Sequence, residues 1–425
     1  MNINYADEPR LVGLQFISGD EDEATAEKLR EIYKIRVNSS LPKVEPDFCA
    51  LSHLPSVDEI VWRHNQIMRS VTADDDVAPS RFWSKHLKHH LEMLKTQGIE
   101  NFKRTVGHHY INFMSLDVHF DQFQSALRLW RFHNSKRPLN VVSRRPGADD
   151  GFKYSGEADY RLSRSEFWSA YVFMTALLYE YALLDDDIGI LRLISERRIG
   201  NPLDIYLPHP MACDSHDGQN SSFLISQDIS HISRELNYMS RLGVDFTGKR
   251  ILEIGAGYGR LCEPILLLGA NQYVIVDISP ALIISEFYLR NVLPADRRVF
   301  GYRDFDSWTS VEEEFLSSDV VFLSAHQIKF IPSEYFDLSI NILSIMEMSR
   351  RSQTFYHNEI ARVTRGYFYS KQYLRQENND DIQVTTRDSY SYPGEFSLID
   401  FRLDPAFSRV YQELWRVGAP QELIR

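Results

Sequence analysis

The run ILEIGAGYGRL, residues 251–261, constrains the fold of this chain more than any other stretch. A short apolar strand leads into Gly255-Ala256-Gly257-Tyr258-Gly259, and a helix is expected to open from that loop. Glycines at such a turn permit positive φ, let a ligand approach the backbone and let the helix pack close to the strand. The helix N-terminus would then offer free N–H groups and a partial positive charge to an anion. Asp277 ends the next strand, QYVIVDI, 22 positions after Gly255. An acid about 20 residues beyond such a loop can accept hydrogen bonds from both hydroxyls of a ribose. Loop and acid together are more specific than either alone.

Around and beyond this loop, strand-like and helix-like segments alternate. RILEI, QYVIVDI, DVVFLSA, FDLSINIL and GYFYSKQY read as strands. Leu261–Leu268, a segment opened by Ser279-Pro280 as N-cap and first helical residue, and Ser349–Val363 read as helices. Strands alternating with helices predict an α/β fold with a doubly wound, mostly parallel sheet, Rossmann-like in arrangement. Residues 1–205 instead read as mainly helical. Arg81–Gln97 places Phe82, Trp83, Leu87, Leu91 and Leu94 on one face, with Gly98 as its stop. Pro202–Ser222, rich in Pro, Gly, Ser and Asp, reads as the connection. The expected domains are therefore 1–205, walling an acceptor pocket or serving dimerisation, and 206–425, holding the cofactor.

Composition narrows the partners. Forty-seven basic against 59 acidic residues give a net charge of −12, which argues against a phosphate-backbone binder. Cys49, Cys213 and Cys262 are too few and too scattered for a disulfide framework and fit a reducing, cytoplasmic setting. MNINYADEPR lacks a signal peptide's apolar core. Phe167–Leu184 is apolar but interrupted by Tyr and Glu and preceded by a Ser163/Glu166 capping box, so a buried helix rather than a membrane span is expected. A small-molecule partner fits this balance, and a homo-oligomer is compatible with it.

The glycine spacing separates two cofactor classes. Dinucleotide enzymes favour G-x-G-x-x-G, whereas the third glycine here comes four positions after the first. EIGAGYG resembles the first motif of class I S-adenosylmethionine-dependent methyltransferases, IVD the second, and VVFLSAHQIKFIP and FDLSINIL the third and fourth. With FWSKHLKHHLEMLKTQGIENFKRTVGHHYINFM and FDLSINILSIMEMSRRSQTFYHNEI, the chain over roughly residues 80–375 resembles the sugar O-methyltransferases of bacterial polysaccharide and natural-product clusters. The resemblance implies S-adenosyl-L-methionine as cofactor. Its methionine part would lie over Gly255, Gly257, Tyr258 and Gly259, with Glu253 placing its amino end and Asp277 holding the ribose. Ala325, His326 and Gln327 would stand where such enzymes meet adenine; His326 departs from the small or acidic residue usual there. The alternatives are methyl transfer to another small acceptor, a nicotinamide-dependent oxidoreductase, and a non-catalytic binding module of the same shape.

In-line transfer to a sugar hydroxyl calls for a general base beside the cofactor. The loop after FDLSINIL offers Glu347, which a dipole-stabilised first-turn helix acid would equally explain, and His357 follows ten residues later. No metal site is expected. His86, His89 and His90, interleaved with Lys85 and Lys88, read as a solvated basic face, and the adjacent His108 and His109 point apart. Cys262 reads as a small core residue and Asp185–Asp187 as a solvated helix end. Trp83, Phe102, Tyr110 and Phe113 are aromatic and could stack on a sugar ring, although core packing explains each of them.

Overall fold

The computed structural model describes residues 51–106, 142–143, 175, 178–179, 181–182, 185–202, 205–208, 222–404 and 409–418. They divide into two compact units, one within 101–237 and the other made of 51–100, 238–404 and 409–418.

The larger unit is organised by an eight-stranded sheet. Its strands are β4 (Arg250–Ile254), β5 (Gln272–Asp277), β6 (Val299–Phe300), β7 (Val320–Ser324), β8 (Phe336–Ile342), β9 (Thr364–Tyr373), β12 (Phe396–Leu403) and β13 (Val410–Val417). Their order across the sheet is β12-β13-β9-β8-β4-β5-β7-β6. From β6 to β9 all pairs are parallel, while β13 and β12 add on antiparallel. The parallel strands are buried on both faces: every residue of β7, and Gln272–Val276 of β5, are buried. This is why they read as unbroken apolar runs. The helices expected between them are present as α4 (Cys262–Leu267), α5 (Ala281–Val292) and α7 (Arg350–Val363), joined by α6 (Glu312–Ser317). α5 begins one residue later than expected. Pro280 takes the N-cap position, and Ser279 uses its hydroxyl elsewhere.

Two further helices belong to this unit although the sequence assigns them to an N-terminal domain. α1 (Val57–Thr72) starts at Ser56, whose side chain accepts from Glu59 N, and buries Ile60, Ile67 and Val71. α2 (Arg81–Gln97) starts at Ser80, which caps Trp83 N, and stops at Gly98, as expected. The solvated-face reading holds for Lys85, Lys88 and His89, which are exposed, and is corrected at His90, which is fully buried with its ring stacked 5.8 Å from that of His86. The strands β10 (Arg375–Asn378) and β11 (Gln383–Thr386) form a separate hairpin.

In the smaller unit, β1 (Val142–Ser143), β2 (Ile205–Pro208) and β3 (Ser222–Leu224) make an antiparallel sheet. The reading of Pro202–Ser222 as loop is thus corrected at Ile205-Tyr206-Leu207, where β-prone residues outweigh the flanking prolines. Lys103 and Glu196 form a buried ion pair. Asp186 is not a solvated helix end. Its Oδ1 accepts from Ile190 N and Asn237 Nδ2, each at 3.0 Å, and its Oδ2 from Leu191 N at 2.9 Å. Cys49, Cys213, His108, His109, Tyr110, Phe113, the Ser163/Glu166 box and most of Phe167–Leu184 fall outside the described residues. Among those described, no helix is long and apolar enough to cross a membrane.

Candidate functional site

β4 lies between β5 and β8, so the chain leaves it first to one side and later to the other. Strand order reverses there, and in such sheets the ligand crevice opens outside the carboxyl ends of the strands at that switch. The loop Gly255–Gly259 leaves β4 at this point. Gly255, Gly257 and Gly259 have φ of 70°, 61° and 78°. Gly255 is required twice over, because a Cβ there would also stand 2.1 Å from Ser344 Oγ. A polar hollow of ≈ 580 Å³, lined among others by Arg250, Asp319, Asp337 and Arg365, opens at the opposite, amino end of the strands.

The opposing wall of the crevice is fastened by one amide. Asn341 Nδ2 donates to Ile254 O at 2.7 Å and Ser344 Oγ at 2.6 Å, while its Oδ1 accepts from Ile345 N at 3.1 Å and Gln372 Nε2 at 2.6 Å. Both amide groups are thereby used, and β4, β8 and β9 are tied where they meet the loop.

Asp277 holds the loop from the other side. Its Oδ2 accepts from Gly257 N at 3.0 Å and its Oδ1 from Ile278 N at 2.7 Å. The carboxyl is half-buried, and burial pushes its pKa up to about 7 despite the two N–H donors. Glu253, 3% exposed, lies beneath the loop and accepts from Tyr273 OH at 2.6 Å. Tyr258 is 2% exposed, its ring packed edge-on to Tyr288 at 4.8 Å. The helix after the loop matches the expected Leu261–Leu268 to within a residue at each end, with Leu261 and Leu268 as its caps. α4 starts at Cys262 and has six residues, too short to make a strong dipole, so backbone N–H groups of the turn carry most of any anion attraction. Cys262 is fully buried, and burial drives its thiol pKa up, which fits a core residue.

The turn Ala325–Phe330 after β7 carries the three residues expected at adenine. Gln327 is already committed: Oε1 accepts from Ser324 N and Nε2 donates to Arg303 O, both at 2.9 Å. Ala325 is 1% exposed. His326 Nδ1 pairs with Ser324 Oγ at 2.8 Å, and burial lowers its pKa, leaving a neutral imidazole. Any base contact here would run through the backbone or the His326 ring.

Glu347 closes a 3₁₀ turn after β8 and stands before Ser349, the N-cap of α7. It is therefore not a first-turn acid of that helix, and the dipole account does not apply. Burial pushes its pKa up to about 8 against an opposing hydrogen bond from the Trp83 side chain. His357 sits in α7 with 1% exposure, its ring 4.7 Å from Tyr392, 5.4 Å from Tyr390 and 6.2 Å from Phe368. Burial lowers its pKa to about 4.

Sequence reasoning missed α1. It lies against α5 and the turn after β7. Arg63 pairs with Glu286, and His64 Nδ1 lies 2.9 Å from Ser279 Oγ, two residues past Asp277. Beyond its end, Asp74 and Asp76 pair with Lys329, and Asp75 and Asp76 with Arg351. The acidic triplet was the visible signal, but its partners lie some 250 residues away. Among the described residues, no group of three or more His, Cys, Asp or Glu gathers as metal ligands would.

No protein-family model matches the chain, and no curated protein matches it. Among solved structures, the magnesium protoporphyrin IX methyltransferase of Synechocystis is similar in two forms. With bound S-adenosylhomocysteine it is 11% identical, covers 44% of this chain and 83% of its own, and gives a TM-score of 0.31. With bound S-adenosylmethionine the values are 12%, 45%, 83% and 0.30. An S-adenosylmethionine-dependent methyltransferase of Mesorhizobium loti is 13% identical, covers 43% of this chain and 97% of its own, and gives 0.28. Likeness at this level carries no residue assignments; the chemistry rests on the crevice itself.

Proposed function

We propose that the protein is an S-adenosylmethionine-dependent O-methyltransferase acting on a hydroxyl of a sugar or glycosylated natural product. One observation carries the reading: a three-glycine turn at the switch point of a mostly parallel sheet, with Asp277 hydrogen-bonded to Gly257 N at the tip of the adjacent strand. In this reading the methionine part lies over Gly255–Gly259, with Glu253 below shaping the site for its amino group. The carboxylate of Asp277 accepts from the ribose hydroxyls, and the Ala325–Gln327 turn borders the adenine. The cofactor supplies the methyl group; the chain aligns the acceptor oxygen with it, excludes water and removes a proton. Glu347 is the proposed base. A carboxyl titrating near 8 sits close to the operating range in which proton transfer is most effective. His357 is a weaker candidate, since it is enclosed by aromatic rings and its pKa is low.

Calorimetry with S-adenosylhomocysteine and with NADH tests the cofactor class. Binding of the former alone is expected, and binding of NADH alone would overturn the reading. Turnover of methyl-labelled cofactor on a panel of hydroxylated acceptors then separates an enzyme from a binding module.

A further inference from the structure

The hollow at the amino end of the strands carries more positive charge than the protein itself answers. It opens where β4, β5, β7, β8 and β9 begin, and Lys249, Arg250, Arg298, Arg365, Asp319 and Asp337 line it. Both carboxylates are already engaged. Asp337 Oδ2 accepts from Arg250 N at 3.0 Å and its Oδ1 from Arg365 Nη2 at 3.3 Å. Asp319 Oδ2 accepts from Arg298 N at 2.8 Å, and its Oδ1 has the guanidiniums of Arg297 and Arg298 at 3.8 Å and 3.9 Å. Lys249 and Arg250 are left over. Among the described residues neither forms an ion pair, and Asp245 attracts Lys249 only at longer range. Acidic residues outnumber basic ones by 59 to 47 in this chain, so two cations facing one hollow without a carboxylate are not what composition predicts.

Arg250 is also held in place. Its guanidinium lies over the Tyr335 ring, 4.2 Å from the centroid, and one of its donors engages the phenol. Tyr335 is buried, and its OH donates to Gln272 Oε1 at 2.7 Å. Gln272 Nε2 in turn donates to Phe315 O at 2.6 Å and Ser318 O at 2.9 Å. A guanidinium stacked on so fixed a floor has little freedom left to lose, and its remaining donors form a fork that matches two oxygens of an oxyanion. The Lys249 ammonium adds a second point charge beside it. Two unmatched cations balance a phosphate ester, which carries about −2 above its second pKa near 6. A volume of ≈ 580 Å³ is more than a bare phosphate fills and falls in the range of small-molecule sites.

We propose that this hollow is a second ligand site, which binds a small phosphorylated molecule with its phosphate held between Arg250 and Lys249. The site is separate from the glycine loop. Arg250 and Gly255 stand at opposite ends of β4, about 16 Å apart at about 3.3 Å per residue, so both sites can be filled at once. The inference therefore stands whether or not the methyl-transfer reading does. The rival account is a pair of surface cations that water alone satisfies.

The test is calorimetry on the full chain at constant ionic strength, with glycerol 3-phosphate as the probe and glycerol and succinate as comparisons. Glycerol 3-phosphate should bind saturably, one equivalent per chain, with glycerol silent and succinate weaker. Arg250→Gln should weaken binding about ten- to a hundredfold, the worth of hydrogen bonds to a charged group, and Lys249→Gln by less. Arg250→Lys keeps the charge and loses the fork, so it too should bind more weakly than the wild type. Arg375→Gln removes the same charge from the β10–β11 hairpin, where Arg375 pairs with Glu377, and should leave binding unchanged. Lys249→Gln alters a side chain without an ion pair, so its melting temperature should match the wild type and keep the test readable if Arg250→Gln folds poorly. The same affinity is expected with S-adenosylhomocysteine present. No saturable binding up to about 10 mM, equal losses in Arg375→Gln and Lys249→Gln, or binding that survives in both Arg250→Gln and Lys249→Gln would overturn the site. Succinate binding as tightly as the phosphate would overturn the ligand class, and displacement by S-adenosylhomocysteine would overturn its placement at the amino end of the strands.

Discussion

The carboxyl of Asp277 makes cofactor affinity depend on pH in a way that can be worked out beforehand. Ligand-free, it titrates near 7 because burial outweighs its two backbone donors. Ribose hydroxyls need a charged acceptor, and their donation would hold the bound carboxyl ionised. If only the ionised form binds well, the apparent dissociation constant scales as one plus the ratio of protonated to ionised carboxyl. The ratio is about 10 at pH 6 and about 0.1 at pH 8, so S-adenosylhomocysteine should bind about tenfold more tightly at pH 8. At pH 7 about half a proton should be released per ligand bound, which calorimetry detects as a dependence of heat on the buffer's ionisation enthalpy. The sign for stability is the reverse in the ligand-free protein. The folded carboxyl keeps a proton that the unfolded chain gives up near its ordinary value of 3.8, so this group's contribution to stability falls as pH rises from about 4 to 7. Ligand should cancel that loss above pH 7. Asp277→Asn should flatten the affinity profile and abolish the proton release. A wild-type affinity flat from pH 6 to 8, or a slope surviving in Asp277→Asn, would refute the assignment of Asp277 to the cofactor.

Particular contacts elsewhere carry their own expectations. Gly255→Ala should abolish S-adenosylhomocysteine binding and destabilise the fold by about 1–3 kcal/mol, through positive φ and the clash with Ser344; Ser344→Gly in the same chain should recover part of the stability, as a double-mutant cycle in denaturant would read. Glu347→Gln should leave cofactor affinity intact and slow turnover by about 10²–10⁴-fold, and unchanged turnover would remove Glu347 as base. Lys103→Met, which strands the buried Glu196 carboxylate, should cost about 3–5 kcal/mol in chemical denaturation. Replacing both partners by apolar residues should restore most of that.

Much of the crevice was legible because its signals are local. The strand, the three glycines and Asp277 lie within one βαβ passage, where φ requirements and burial act directly on residue choice. The antiparallel addition of β12 and β13 was not legible. β12 is an edge strand with Leu398, Ile399, Phe401 and Leu403 exposed, so its apolar pattern does not report one buried face. The use of the Gln327 side chain was not legible, because a residue at a strand tip serves a ligand or a cap equally well, and here its amide caps the turn. The division near residue 205 reflected a change of texture from helix to alternating strand. The structure places 51–100 with the sheet because His64, Arg63 and Asp74–Asp76 find their partners at residues 279–351, and pairing at such separation leaves no periodic trace.

The partition of the chain also bears on its birth at the ribosome. The unit holding the crevice is discontinuous, since residues 101–237 intervene between α1–α2 and β4. When α2 leaves the exit tunnel, the surfaces that bury Ile60, Ile67 and Val71 do not yet exist. Arg351, the partner of Asp76, is made 275 residues after it, about 14 to 55 s later at about 5–20 residues per second. During that interval the amphipathic helices wait with their apolar stripes uncovered, while the intervening unit can already be folding. A chain built this way is exposed to aggregation early in translation rather than late, and its yield should respond to holdase chaperones and to the rate at which the middle third is translated.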